Sequence, residues 1–206
     1  AHYLCEQARE LNAHGDASGA AQLLQNAMAE APDAPRPRLL LGQLQLNQGQ
    51  ALQAYATLSQ LFESGSVAAP LAAASLVRAA QAAQQVPAAL SLLQQHYAQS
   101  PCIDVMDAIV ALEKKTDAEA TQRVRQRYIE HLQKQASLLA ASRWLAGADL
   151  GTDETRAPVQ KALDQASRPL ARYRCAACGF EAKEHFWHCP GCQAWDSYPP
   201  RRVEEL

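Results

Sequence analysis

Residues 173–198 read YRCAACGFEAKEHFWHCPGCQAWDSY, and four of the chain's six cysteines lie there as two Cys-x-x-Cys pairs. Cys175 and Cys178 form the first pair, Cys189 and Cys192 the second, with ten residues between them. A two-residue gap lets both thiolates of a pair turn toward one ion while backbone N–H groups of the turn point at the sulfurs. Four thiolates at about 2.3 Å from the ion complete a tetrahedral site, the arrangement of structural zinc and of iron in rubredoxin-type centres. Gly179 follows the first pair, where the turn favours positive φ, and Pro190 stiffens the second. Two disulfides or one redox-active pair are the alternatives. No secretory signal is present and no βαβ pattern surrounds either pair, so the metal site is the preferred reading.

This stretch is too short for an ordinary core, so an ion and the aromatic residues Tyr173, Phe180, Phe186, Trp187, Trp195 and Tyr198 must hold it together. These six are half of the chain's Phe, Trp and Tyr. They are expected to pack around the site and against the segment before it. His185 and His188 are conceivable ligands, but four cysteines already fill a tetrahedral shell. The histidines then read as surface or hydrogen-bonding residues.

Outside this stretch the composition is that of a helical protein. The chain has 206 residues and a formal charge of −2, neither strongly basic nor strongly acidic. Alanine and glutamine are plentiful, prolines fall between segments and β-branched residues are sparse, which predicts helices through the first 170 residues. The longest apolar runs, such as 67–74 with Pro70 inside it, are far too short to span a bilayer, so the chain as given is expected to be soluble. It opens at Ala1 without an initiator Met, with the helical pattern already running by Tyr3 and Leu4, as expected of a fragment of a longer protein.

The helical part repeats with a period of 34. Ala20, Ala54 and Ala88 are spaced by it, as are Leu24, Leu58 and Leu92; Gly15 recurs as Gly49, and Ala8 is matched by Gly42. Small residues suit the crossing of two helices, a large apolar residue follows four positions on, and glycine suits the turn between them. This is the tetratricopeptide period. The predicted helix pairs are 2–14 with 18–30, 36–48 with 52–63, 68–84 with 87–98, 102–114 with 117–134, and 136–147 with 153–170. Asp117 is a candidate N-cap for the eighth helix, and Thr152 or Asp153 for the tenth, after a turn at Gly147 and Gly151. Such pairs stack into a superhelix whose concave side is lined mainly by the first helix of each pair. On this register Cys5, Arg9, Asn12, Leu39, Gln43 and Leu46 face the groove; the alternative is that Cys5 is a buried small apolar residue and the others are ordinary solvated positions. Cys102 reads as core, and Arg123, Arg125 and Arg127, spaced by two, spread over different helix faces as solvated residues.

Helical repeats followed by RYRCAACGFEAKEHFWHCPGCQAW resemble the lipopolysaccharide assembly protein B family (LapB, also called YciM) of Gram-negative bacteria. The likeness is strongest in the Arg-Tyr-Arg lead, Cys-x-x-Cys-Gly-Phe, Trp-His-Cys-Pro-x-Cys and the following Ala-Trp. The opening His2-Tyr3-Leu4-Cys5-Glu6 resembles the start of an inner repeat, and the middle repeats are supported more by pattern than by identity. The resemblance carries the family's metal ligands over to Cys175, Cys178, Cys189 and Cys192. It implies a parent protein held in the bacterial inner membrane by an N-terminal helix, with its repeats and rubredoxin-like tail on the cytoplasmic side. It also implies control of lipopolysaccharide synthesis by promoting degradation of the deacetylase LpxC by the protease FtsH, with lipopolysaccharide assembly and transport proteins as further partners. Gln193 stands where rubredoxins often have glycine, and ten residues between the pairs is shorter than their loop. Both argue against electron transfer.

The expected fold is therefore all-α: tetratricopeptide-type repeats over 1–170, then a small rubredoxin-like or zinc-ribbon metal-binding domain over 171–206. No nucleophile–base constellation or phosphate loop marks an enzyme, so the expected role is a protein-binding adaptor with one tetrathiolate ion, zinc or iron. A redox or metal sensor with iron at the site is the alternative. A nucleic-acid-binding zinc ribbon is disfavoured, because residues 172–206 carry five Lys or Arg against five Asp or Glu and so lack a basic excess.

Overall fold

The computed structural model describes residues 1–113, 118–146 and 153–206, the side chains of 118–120 and 153–156 excepted. Among these residues ten α-helices follow one another: α1 (His2–Ala13), α2 (Ala17–Glu30), α3 (Pro35–Asn47), α4 (Ala51–Glu63), α5 (Ala69–Ala82), α6 (Val86–Gln99), α7 (Ile103–Glu113), α8 (Ala118–Lys134), α9 (Leu138–Ala146) and α10 (Asp153–Ser167). Two short strands, β1 (Tyr173–Arg174) and β2 (Glu181–Ala182), and a 3-10 turn at Val203–Glu205 complete the chain. The ten expected helices are all present, and the tenth stops three residues earlier than the pattern predicted. The cap and turn assigned to Asp117, Gly147, Gly151 and Thr152 lie outside the described residues, as does the side chain of Asp153. None of the described helices is long and apolar enough to cross a membrane.

The chain divides into two compact units, Ala1–Ala98 and Gln99–Leu206. In the first, α1 packs on α2 and α3, and α3 on α4 and α5. The turns are three residues long and hold Gly15 at φ +87° and Gly49 at φ +76°, a left-handed conformation that costs glycine little. Asp16 starts α2 by accepting a 2.8 Å hydrogen bond from the Gly19 N–H, and Pro35 opens α3 where no N–H is needed. Gly42 marks a close helix crossing, since a Cβ there would lie 2.5 Å from the Leu58 side chain.

The repeat columns hold for two repeats and slip in the third. Ala20, Ala54 and Leu58 are fully buried and Leu24 nearly so. Ala88 is exposed and Leu92 only half-buried, while Ala89 and Leu93 are fully buried in their place. The cause is one additional residue in α5, which has 14 residues against 13 in α3. The turn after it is carried by Gln84 at φ +57° rather than by glycine.

The expected groove set is also corrected. Cys5 is fully buried in a core cluster with Ala8, Ala20, Leu24, Leu41 and Leu44, and Leu39 is buried as well. Residues three apart on α1 share a face, and the face of Cys5 and Ala8 is the one turned inward. Arg9 and Asn12 are exposed, and Gln43 and Leu46 half-buried. An ion pair of a buried Arg36 with a partly exposed Glu6 escaped the sequence reading: Arg36 on α3 reaches Glu6 and lies 3.2 Å from His2 Nδ1, spanning one repeat.

In the second unit α7 packs on α8, α8 on α9, and α9 on α10. Cys102 is buried, as expected. Arg125 and Arg127 are not simply solvated. Arg127 pairs with Glu113 at 2.8 Å, and the Arg125 guanidinium stands 5.3 Å from the centre of the Trp144 ring, so the two tie α8 to α7 and to α9. Asp107 collects a hydrogen bond from Tyr128 at 3.0 Å and a contact with Arg143 at 2.5 Å, joining α7 to both of the next two helices.

The corrected register makes a sharp prediction. Leucine at position 54 or 89 should cost about 1–3 kcal/mol by overpacking. Ala88→Leu should stay within about 0.5 kcal/mol of the parent. Chemical denaturation of the three variants checks this, and equal sensitivity at 88 and 89 would overturn the one-residue shift.

Candidate metal centre

The C-terminal module repeats one local design twice. β1 pairs antiparallel with β2, Tyr173 opposite Ala182 and Arg174 opposite Glu181, and the first cysteine pair sits in the connection. His188 and Trp195 form an isolated antiparallel bridge that encloses the second pair in the same way. In the first turn the Cys175 N–H donates to the Phe180 carbonyl and the Gly179 N–H to the Cys175 carbonyl, both at 2.9 Å. In the second, Cys189 N–H donates to Ala194 O at 2.9 Å and Gln193 N–H to Cys189 O at 2.8 Å. The residue after each pair is left-handed, Gly179 at φ +77° and Gln193 at φ +60°. Gln193 thus adopts the conformation for which glycine is the favoured residue.

The two turns bring all four sulfurs within 4.8 Å of one another. Cys175 Sγ lies 3.8 Å from Cys192 Sγ, and Cys178 Sγ lies 3.7 Å from Cys189 Sγ. A tetrahedron with metal–sulfur distances of about 2.3 Å has edges of about 3.8 Å, whereas a disulfide would require about 2.05 Å. The donor set therefore fits one tetrahedral ion and leaves the cysteines free of disulfides. Cys175 and Cys189 are buried, and Cys178 and Cys192 are exposed.

The surroundings favour thiolate unequally. Ser197, whose hydroxyl is 3.2 Å from Cys175 Sγ, holds that thiol down to about 6, with help from the N–H groups of Cys178 and Ala177. Cys189 is also held below the ordinary thiol range: burial opposes its ionisation, but the Cys192 and Gly191 N–H groups outweigh it. Cys178 behaves oppositely. The Phe180 N–H favours its thiolate, yet desolvation and the three neighbouring sulfurs push it up to about 12. Protein groups alone thus support part of the charge, and full ionisation of four clustered thiols needs a cation among them.

The histidines take other roles. His185 Nε2 is 3.0 Å from the Tyr198 carbonyl, and its ring packs edge-on against Tyr173, Trp187 and Tyr198. His188 stacks on Trp195 with ring centres 4.4 Å apart. The aromatic set is only partly enclosed: Tyr173 and Tyr198 are buried, but Phe180 and Trp195 remain 43% and 42% exposed.

The sequence reading missed the last six residues. Arg202 places its guanidinium 4.3 Å from the centre of the Tyr173 ring and binds Asp104 of α7 at 2.8 and 2.9 Å. Glu204 and Glu205 were visible only as charges in a tally. Nothing in their local pattern announced a contact about a hundred residues away in sequence.

Residues 173–200 match the family model described as the rubredoxin metal binding domain of LapB zinc-ribbon type, and residues 11–74 match the tetratricopeptide repeat. Lipopolysaccharide assembly protein B of Escherichia coli K12 is 51% identical over 35 residues, which are 17% of this chain and 9% of that protein. The protein of the same name from Haemophilus influenzae is 24% identical over 205 residues, covering 89% of this chain and 47% of the relative. The chain resembles lipopolysaccharide assembly protein B in its repeats and in its tail. It spans about half the length of the Haemophilus relative. A crystal structure of a thermophilic TPR protein from Thermus thermophilus superposes with a TM-score of 0.50 at 18% identity, over 82% of this chain and 93% of that one, which supports the repeat fold.

The strained second turn yields a prediction. Gln193→Gly should stabilise the chain by up to about 1 kcal/mol by relieving a left-handed residue, and Gly179→Ala should destabilise it by about 1–2 kcal/mol. Denaturation of anaerobically purified variants measures both; a Gln193→Gly variant less stable than the parent, or a Gly179→Ala variant at least as stable, would show that the two turns are not equivalent.

Proposed function

We propose that this chain is a non-enzymatic protein-binding adaptor in lipopolysaccharide assembly, with helical repeats that hold protein partners and one ion held by Cys175, Cys178, Cys189 and Cys192. The single observation that carries the metal half is the pair of sulfur–sulfur distances at 3.8 and 3.7 Å, the edges of a tetrathiolate tetrahedron. The adaptor half rests on the repeats and on the relatives' name. When bound, zinc or iron supplies charge neutralisation and a crosslink between the two turns. The chain's own residues orient the sulfurs, through the backbone N–H groups that face Cys175 and Cys189 and through Ser197.

In the finer reading the partners are the protease FtsH and the deacetylase LpxC, the adaptor promotes degradation of LpxC, and the parent protein works at the cytoplasmic side of the inner membrane. Residues 1–170 then form the partner-binding domain and 171–206 the metal-binding one. The exposure of Cys178 and Cys192 favours a second reading, in which iron at the site exchanges electrons and changes partner binding. Absorbance separates the two, because ferric tetrathiolate iron is coloured and zinc is silent.

The test uses the anaerobically purified chain. Elemental analysis should find one ion per chain, lost in the Cys189→Ser, Cys192→Ser double variant; well under one ion overturns the metal assignment. The immobilised chain should retain purified FtsH or LpxC, and retention of neither would remove this choice of partners.

A further inference from the structure

The C-terminal residues 201–206 lie across the beginnings of two helices. Glu205 Oε1 accepts the Ile103 N–H, the first of α7, at 2.7 Å, and its other oxygen accepts the Arg202 N–H at 3.1 Å. Glu204 accepts the Ser137 hydroxyl at 2.5 Å and the Leu139 N–H of α9 at 3.3 Å. Ser137 itself caps α9: its carbonyl accepts the Ala141 N–H at 3.1 Å and its hydroxyl oxygen the Ala140 N–H at 2.9 Å. The first N–H groups of a helix have no partner within it, and a carboxylate there also meets the positive end of the helix dipole. The residue before α7 is Cys102, whose side chain is a poor cap, so Glu205 supplies from the far end of the chain what the local sequence lacks.

The other side of the same segment is fastened to the base of the metal module. Val203 N–H donates to the Arg172 carbonyl at 2.8 Å, just before β1, and Arg202 donates to the Ala171 carbonyl at 2.7 Å while covering Tyr173. Arg201 reaches Ser100 Oγ at 2.6 Å on the stretch that leads into α7. Tyr173 is two residues from Cys175 and packs on His185 inside the module. The segment therefore touches both the element that carries the first cysteine pair and the N-termini of α7 and α9.

We propose that residues 201–206 are a strap that couples metal loading of the four-cysteine module to the ends of α7 and α9, so that loss of the ion releases the Glu204 and Glu205 caps. This rests on the metal reading above and goes beyond it by naming the route. The module holds the strap only while β1 and its aromatic neighbours are ordered. The strap in turn decides whether the first turns of α7 and α9 are closed or open to solvent and partners.

The test follows amide hydrogen exchange at Ile103 and Leu139 in the full chain, with zinc bound and after its withdrawal by a chelator, using amides of α4 as an internal reference. Withdrawal should speed exchange at both positions at least about tenfold and leave α4 within about twofold. The E204A/E205A double variant should keep one zinc per chain, show the faster exchange even with zinc bound, and change less than about twofold when zinc is removed. A wild-type chain that loses its zinc without change at Ile103 and Leu139 overturns the strap alone. So does a double variant that keeps the full response to zinc. A wild-type chain that binds no zinc or iron overturns the metal reading and the strap together.

Discussion

Four sulfurs within 4.8 Å of one another form an arrangement that a protein cannot sustain as four thiolates by itself. Turn amides and a serine hydroxyl lower two of the thiols, while Cys178 is driven the other way by its neighbours. A divalent or trivalent cation resolves that repulsion and converts it into cohesion. The rest of the module depends on this, because two strands of two residues each and a few aromatic contacts make too small a core to fix two turns. The exposed edges of Phe180 and Trp195 show how little apolar burial the module has in reserve.

The helical repeats solve the same problem without an ion. No helix pair encloses its own apolar face, so α3 lies against α1 and α5 as well as its partner α4. Small buried residues at Ala20 and Ala54 and the close approach of Gly42 to Leu58 of α4 suit this stacking, and the polar link from Arg36 to Glu6 and His2 joins α3 to α1 across one repeat. In the second unit the small-residue logic gives way to charged contacts. Asp107 with Tyr128 and Arg143, and Glu113 with Arg127, join α7 to the next two helices, whose sequence has drifted from the period.

The final residues connect these two ways of building. A helix start needs acceptors, a short tail rich in carboxylates has them, and the aromatic face of Tyr173 gives Arg202 a second surface to hold. The tail counted as electrically neutral, but neutrality in sum concealed four side chains that each have a definite partner on another element.

The sequence by itself determined the helices, the repeat and the cysteine pairs, because these are local or periodic facts: a turn glycine, a proline at a helix start, a two-residue gap between thiols. Gly15, Gly49 and Gly179 could be assigned left-handed turns from their identity. Tertiary structure alone decided the rest. A single residue added inside α5 moved the buried column from Ala88 and Leu92 to Ala89 and Leu93, since helix periodicity tolerates the insertion locally and only the neighbouring helix selects the face that packs. Cys5 turned into the core for the same reason. The acceptors that Glu205 and Glu204 bring to the starts of α7 and α9 were beyond any local reading, because a hydrogen bond depends on nearness in space and Glu205 and Ile103 are brought together only by the folded chain between them.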